Sequence, residues 1–297
     1  MSHRSFRILL IGSYGQVGSE LQHTLAPLGE VVATSRSHAD GLTVDLTKPD
    51  TLVQAFDEVR PTLVVNAAAY TAVDKAESEP DLAEAVNATA PGVIGELAAK
   101  QGAAVIHYST DYVFDGVLNR PYREDDETGP TGVYGSSKLH GEKALLDALD
   151  DVLIFRTAWV YGQYGNNFYR TMLKLFAERD ELRVVDDQIG SPTWSQAIAE
   201  TTAQVVSQLK MELSCVREKR GIYHLTAAGQ TSWYGFAQAI LENTESACRV
   251  LPIPSKDYPT PAKRPAWSVL DNAKLKETFG LALPDWQSSL QQCMSKT

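Results

Sequence analysis

Five short runs in the first half of the chain are apolar on both of their faces, and longer helical patterns separate them. The runs are Arg7–Ile11, Val31–Ser35, Thr62–Asn66, Ala104–Ser109 and Val152–Arg156. Between them, Gln16–Ala26, Leu52–Val59, Asp81–Gln101 and Val133–Ala148 read as helices. A strand with one wet face alternates polar and apolar residues. L-V-V-N and V-L-I-F do not, so both faces of their sheet must be covered, which is the situation of a parallel sheet with helices on either side. The β-α-β-α order predicts an α/β fold built on a doubly wound parallel sheet of the Rossmann type.

After Gly162 the pattern loosens. A helix over Phe168–Glu178, a strand over Leu182–Val185 and a helix over Ser195–Leu209 precede an irregular tail. Prolines crowd the stretch from Leu251 to Pro265, which excludes long regular elements there and predicts loops shaping a smaller C-terminal lobe. The expected division is a dinucleotide-binding domain over 1–157, rejoined by the helix near 195–209, and a mainly substrate-binding lobe over 158–297.

The formal net charge of −10 argues against nucleic acid as a partner, since backbone neutralisation needs clustered Lys and Arg. An anionic small ligand stays open, because helix N-termini and a few arginines can hold phosphates. Cys215, Cys248 and Cys293 are far apart and odd in number, as expected of free thiols in a reducing compartment. The histidines have no paired metal spacing, so no metal is expected. Met1 to Arg7 is polar and the following apolar run is brief, so neither a signal peptide nor a membrane span is expected. The expectation is a soluble cytoplasmic protein.

Gly12, Gly15 and Gly18 follow the first strand and open a helix in a GxxGxxG spacing. Glycines at such a turn let the backbone approach a pyrophosphate, which would sit on free N–H groups at the helix start. Their bland reading is a tight strand-to-helix turn. The second strand ends in Thr34-Ser35-Arg36-Ser37 with no carboxylate for a ribose 2′-hydroxyl. NADPH is therefore expected, with Arg36 beside Ser35 pairing the 2′-phosphate; NADH stays open. Asp45, followed by Leu46, is the next strand-end acid and a candidate adenine partner.

The fourth strand stops in S-T-D-Y, placing Thr110 and Asp111 at the carboxyl end, where ligands bind in open α/β sheets. Ser, Thr and Asp also favour turns, so this strand alone does not choose. Tyr134 and Lys138, four residues apart, share one face of a later helix. Reducing a ketone needs a hydride on carbon and a proton on oxygen. A phenol with pKa near ~10 is a reluctant donor, and a neighbouring ammonium would tune it. Tyr108, Tyr112 and Tyr122 lack a lysine at that spacing.

A Gly-rich first turn, a strand-end Ser/Thr and Y-x-x-x-K together resemble the extended short-chain dehydrogenase/reductase superfamily. Within it the chain resembles the dTDP-4-dehydrorhamnose reductases, through G-S-Y-G-Q-V-G, V-N-A-A-A-Y-T-A-V-D-K-A-E-S-E-P, H-Y-S-T-D-Y-V-F-D-G, V-Y-G-S-S-K-L-H-G-E, F-R-T-A-W-V-Y-G, G-N-N-F and R-P. These strings run from residue 12 to about 265, so the resemblance spans nearly the whole chain.

The resemblance implies NADPH-dependent reduction of the 4-keto group of a dTDP-4-keto-6-deoxy-hexose, a nucleotide-sugar substrate. By the family pattern Tyr134 gives the proton, Lys138 holds the nicotinamide ribose and tunes Tyr134, and Thr110, with Asp111, touches the sugar. Gly15, Gln16, Val17 and the strand end Ala67, Ala68 and Ala69 would line the cofactor. Trp159 would lie against the sugar or pack the lobes. Asn167 and the turn Asp187 to Thr193 would build the pocket, with Arg264 as a phosphate or substrate contact. Gly132 stands where relatives often carry asparagine. Some relatives hold magnesium between subunits, but no equivalent acids stand out here, so no metal is assigned and a homodimer is left open. Two other readings stay open: an NADP-binding regulatory subunit resembling that of methionine adenosyltransferase, and a nucleotide-sugar epimerase or dehydratase.

Overall fold

The computed structural model describes residues 6–36, 41–210 and 215–296. The polar start before Phe6, Ser37 and the side chain of Cys215 lie outside the described residues.

The first half runs β1 (Arg7–Ile11), α1 (Gln16–Leu25), β2 (Glu30–Thr34), α2 (Pro49–Val59), β3 (Leu63–Asn66), α3 (Val73–Ala76), α4 (Pro80–Glu84), α5 (Ala90–Gln101), β4 (Ala104–Thr110), α6 (Val133–Ala148) and β5 (Val152–Thr157). Then come β6 (Val160–Tyr161), α7 (Phe168–Glu178), β7 (Glu181–Val185), β8 (Ile189–Gly190), β9 (Thr193–Trp194), α8 (Ser195–Lys210), α9 (Cys215–Glu218) and β10 (Gly221–His224). The chain ends with β11 (Thr231–Ser232), α10 (Trp233–Leu241), β12 (Arg249–Ile253), α11 (Ala273–Phe279) and α12 (Trp286–Met294).

The main sheet has the order β2-β1-β3-β4-β5-β10 and every pair is parallel. Strands β3, β4 and β5 are buried at every residue, as their unbroken apolar pattern requires. One core lies on the side of α1 and α8, where Leu10, Leu21, Tyr108 and Ile198 meet. The other holds Leu9, Phe56, Ile94 and Leu145 under α2, α5 and α6. The strand order reverses between β1 and β3, with β2 added on one side and β3, β4 and β5 on the other, and this opens a crevice at their carboxyl ends.

Three elements differ from the sequence reading. The helix expected over Asp81–Gln101 is interrupted by a π-turn at Ala85–Thr89. Pro91 has no N–H to donate back along the helix, and the wider turn absorbs the missing bond. The sixth strand, β10, comes from the second half of the chain and pairs with β5. Its four residues are too few to show a pattern. In the proline-rich tail, β12 pairs parallel to β7 despite Pro252, which is tolerated because this ribbon has only two strands.

Candidate active site

The crevice begins with the turn after β1. Gly12 has φ +87°, and a Cβ there would lie 2.7 Å from the backbone nitrogen of Ala68 at the end of β3. A Cβ at Gly18 would collide with the Gly12 carbonyl. The glycines thus bring α1 and the Ala67–Ala69 segment close together. Gly15 is the N-cap of α1 and no side chain caps it, so its first N–H groups face the turn with nothing from a cap residue to satisfy them. Val17 and Gln16 follow in the first helical turn. This is a cradle for a phosphate group, and the residues fit a dinucleotide.

Ser35 bridges to Thr43 just past β2, and Arg36 follows it, exposed. Asp45 stands near enough to Arg36 to feel its charge, and hydrogen bonds from the Thr47 hydroxyl and backbone hold its carboxyl below the usual range. Oδ1 of Asp45 thus already accepts two bonds from Thr47. Leu46 is buried beside it in the second core.

At the end of β4, the Thr110 hydroxyl donates to Asp111 Oδ1 (3.0 Å) and accepts from the Tyr112 backbone N–H (3.2 Å). The Thr110 hydroxyl also lies close enough to the Tyr134 phenol to lower its pKa. Tyr134 is half-buried. Burial pushes the phenol up to about 12, the Thr110 hydroxyl pulls it down and the Asp111 charge pushes it up. Burial also raises Asp111 to about 6, against the polar Ser268 nearby and the hydrogen bond from Thr110. The Tyr112 ring stands edge-on to Tyr134 at 5.6 Å.

Lys138 departs from the expectation. Its ammonium is buried and donates to the Tyr108 carbonyl at 2.6 Å, with His107 Nε2 at 3.2 Å. Burial lowers it to about 8, and Glu142 one turn on opposes that fall. Burial raises the Tyr134 phenol most, with Thr110 lowering it and the Asp111 charge raising it. The Lys138 side chain points at β4 because the strand supplies the acceptors that a buried ammonium needs.

Trp159 and Trp233 stack face to face, 3.5 Å apart and 3° from parallel, and Phe168 packs on Trp233. Trp159 has φ +47°, a left-handed conformation that is unusual and strained for so bulky a residue. Asn167 has a different task from the pocket contact expected of it. Its Oδ1 caps α7 at the Arg170 N–H, and its Nδ2 donates to the carbonyls of Gly162 and Tyr164. In the expected pocket turn, Asp187 is likewise engaged, accepting from the Ser255 N–H and hydroxyl. Arg264 Nη2 donates to Asp74 Oδ2 at 2.7 Å, which ties the proline-rich segment to α3, and its positive charge reaches Tyr112. Sequence reasoning gave no role to His107, Asn66, Asp74 or Trp233. The first three lie inside the quoted family strings, which was the one available signal.

Among the described residues no group of three His, Cys, Asp or Glu side chains is placed to hold a metal ion, and no helix is long and apolar enough to cross a membrane. Cys248 and Cys293 are buried and in no disulfide.

The family model described as "RmlD substrate binding domain" matches residues 6–297. A dTDP-4-dehydrorhamnose reductase from Burkholderia thailandensis is 47% identical to this chain, over 97% of it and 98% of the relative. The crystal structure of such a reductase from Clostridium acetobutylicum superposes with a TM-score of 0.88 at 38% identity, covering 98% of this chain and 99% of that one. That of the Bacillus anthracis reductase, in complex with NADP, gives 0.89 at 33% identity, covering 99% and 100%. Full-length agreement in sequence and in fold leads to one assignment: the chain belongs to the dTDP-4-dehydrorhamnose reductase family.

Proposed function

We infer that this chain reduces the 4-keto group of dTDP-4-dehydro-6-deoxy-L-mannose to give dTDP-L-rhamnose, using NADPH. The observation that carries the chemistry is the placing of the Thr110 hydroxyl within electrostatic reach of the Tyr134 phenol at the carboxyl end of β4, in the same sheet whose crevice is built by Gly12 and Ala68. Gly12, Gly15, Gln16, Val17, Gly18 and Ala67–Ala69 would hold the dinucleotide, with Arg36 at its 2′-phosphate. When bound, that group supplies the hydride.

Tyr134 supplies the proton. With its pKa at about 12 the phenol is fully protonated at neutral pH, which is the form that a reductase must start from. So weak an acid holds its proton until the substrate oxygen gains alkoxide character and becomes the stronger base. The Thr110 hydroxyl then turns its one proton from Asp111 to the phenolate that remains, and stabilises it. Asp111 works in the opposite sense, keeping the proton on Tyr134 beforehand. Lys138 would hold the ribose. Trp159, braced on Trp233, offers a flat apolar wall to the sugar, and Arg264 a cation at the substrate side. The cofactor domain is residues 1–157 with α8 and β10 returning to it, and the rest of 158–297 forms the substrate lobe. The enzyme is proposed to work in the cytoplasm.

The test is NADPH consumption with dTDP-4-dehydro-6-deoxy-L-mannose, beside Tyr134→Phe. Turnover that collapses in the variant supports the reading. A protein that binds NADPH but turns nothing over sinks it in favour of a non-catalytic NADP-binding role.

A further inference from the structure

Three buried side chains form one hydrogen-bonded chain behind the proposed site: Lys138 of α6, His107 of β4 and Asn66 of β3. The Ala68 N–H donates to Asn66 Oδ1 (3.2 Å), which turns the amide nitrogen of Asn66 toward His107 Nδ1 (3.1 Å). His107 Nε2 then faces Lys138 Nζ at 3.2 Å.

These contacts must agree in polarity. With Asn66 donating to Nδ1, a neutral ring holds its proton on Nε2 and points it at Nζ. An ammonium has donors and no acceptor, so this arrangement suits Lys138 only as a neutral amine, whose lone pair accepts. A charged Lys138 needs Nε2 as its acceptor. The ring proton then sits on Nδ1, Asn66 must present its oxygen there, and Ala68 loses that partner. Mixed arrangements set two donors face to face where no water can satisfy them.

We propose that His107 is a positioning residue for the reduction, whose tautomer, set through Asn66, governs whether Lys138 is held as an ammonium or as an amine. This rests on the reading of Lys138 as part of the reductase site. Because Ala68 lines the crevice at Gly12, the same change reaches the cofactor side.

The surroundings favour a tautomer change over a ring charge. Burial, and then the charge of Lys138, hold His107 well below its usual range, so the ring stays neutral. Lys138 itself feels Glu142, whose carboxylate is bound to Arg156 of β5. Tyr134 lies one turn earlier on α6, within reach of Thr110 and of the Asp111 charge. Asn66 from β3, and Asn87 of the π-turn acting through Ser137, do not titrate.

Ring-nitrogen chemical shifts of isotope-labelled histidine, followed by NMR through the Lys138 transition at about 8, test this without any substrate. Among the six histidines, H107Q identifies the His107 signals. The expected result is a neutral ring that carries its proton on Nδ1 at low pH and on Nε2 at high pH. One tautomer throughout, or an imidazolium, overturns the proposal. Activity gives a second readout. H107Q offers Lys138 an acceptor at every pH, and H107L offers none. The basic limb of the kcat profile should therefore move up in the first and down in the second, each by roughly one pH unit. Equal losses at all pH values would reduce His107 to a packing role. If the protein proves not to be a reductase, the tautomer measurement still decides the proposal.

Discussion

Replacing Thr110 by valine removes one hydroxyl and keeps the shape of the side chain. Three interactions go with it: the hydrogen bond it can donate to the Tyr134 phenolate, the donation to Asp111 at 3.0 Å, and the cap on the Tyr112 N–H at 3.2 Å. Only the first bears on the transition state, where the phenol becomes a phenolate. A hydrogen bond to a charged group contributes about 1.5–3 kcal/mol, which corresponds to a fall in kcat of roughly 10- to 150-fold. The lost cap costs about 1 kcal/mol of stability, enough to lower Tm without unfolding the protein. The sign of the pH effect is also fixed. Without the downward pull of Thr110 the phenol rises further above about 12, so Tyr134 stays protonated throughout the working range and the defect is flat with pH. Steady-state NADPH oxidation with T110V, T110S and Y134F would check it. T110S keeps the hydroxyl and should stay near the parent, while Y134F sets the floor, roughly 10²- to 10⁴-fold down. Full kcat in T110V beside a dead Y134F would show that Thr110 only makes a turn. A fall confined to one pH range would refute the assignment of the proton to Tyr134.

Arg36→Ala should lower kcat/KM for NADPH by roughly 10- to 100-fold, the loss of one charge-assisted phosphate contact, and leave NADH unchanged; equal effects on both cofactors would remove Arg36 from the site. Asn167→Ala should cost about 1 kcal/mol of stability as a lost helix cap and leave KM for the sugar nucleotide alone. A raised KM with unchanged Tm would return Asn167 to the pocket. Glu142→Gln leaves the guanidinium of Arg156 buried without its carboxylate, at 2% exposure, and should cost about 3–5 kcal/mol. Thermal unfolding near the parent Tm would show that the pair adds little.

The five N-terminal strands and most of the helices between them were legible because a parallel sheet covered on both faces needs unbroken apolar runs, and these stand out in any window. The GxxGxxG turn was legible for a related reason, since only glycine fits where Gly12 touches Ala68. Other features were hidden. The strand Gly221–His224 is too short to carry a period, and it is a strand because the edge of β5 stands open to receive it. Asn167 was placed at the pocket by the resemblance alone, and local sequence did not show that its side chain caps α7.

The sequence by itself determined the α/β class, the crevice glycines and the pairing of Tyr134 with Lys138 on one helical face, since each follows from periodicity or spacing within a few residues. Tertiary structure alone decided which partners those groups meet. Lys138 turns to His107 and the Tyr108 carbonyl, Arg264 finds Asp74, and Trp159 stacks on Trp233. Each joins residues far apart in the chain, and a buried polar or aromatic group takes whatever partner the packed elements bring within reach. No local pattern encodes that choice.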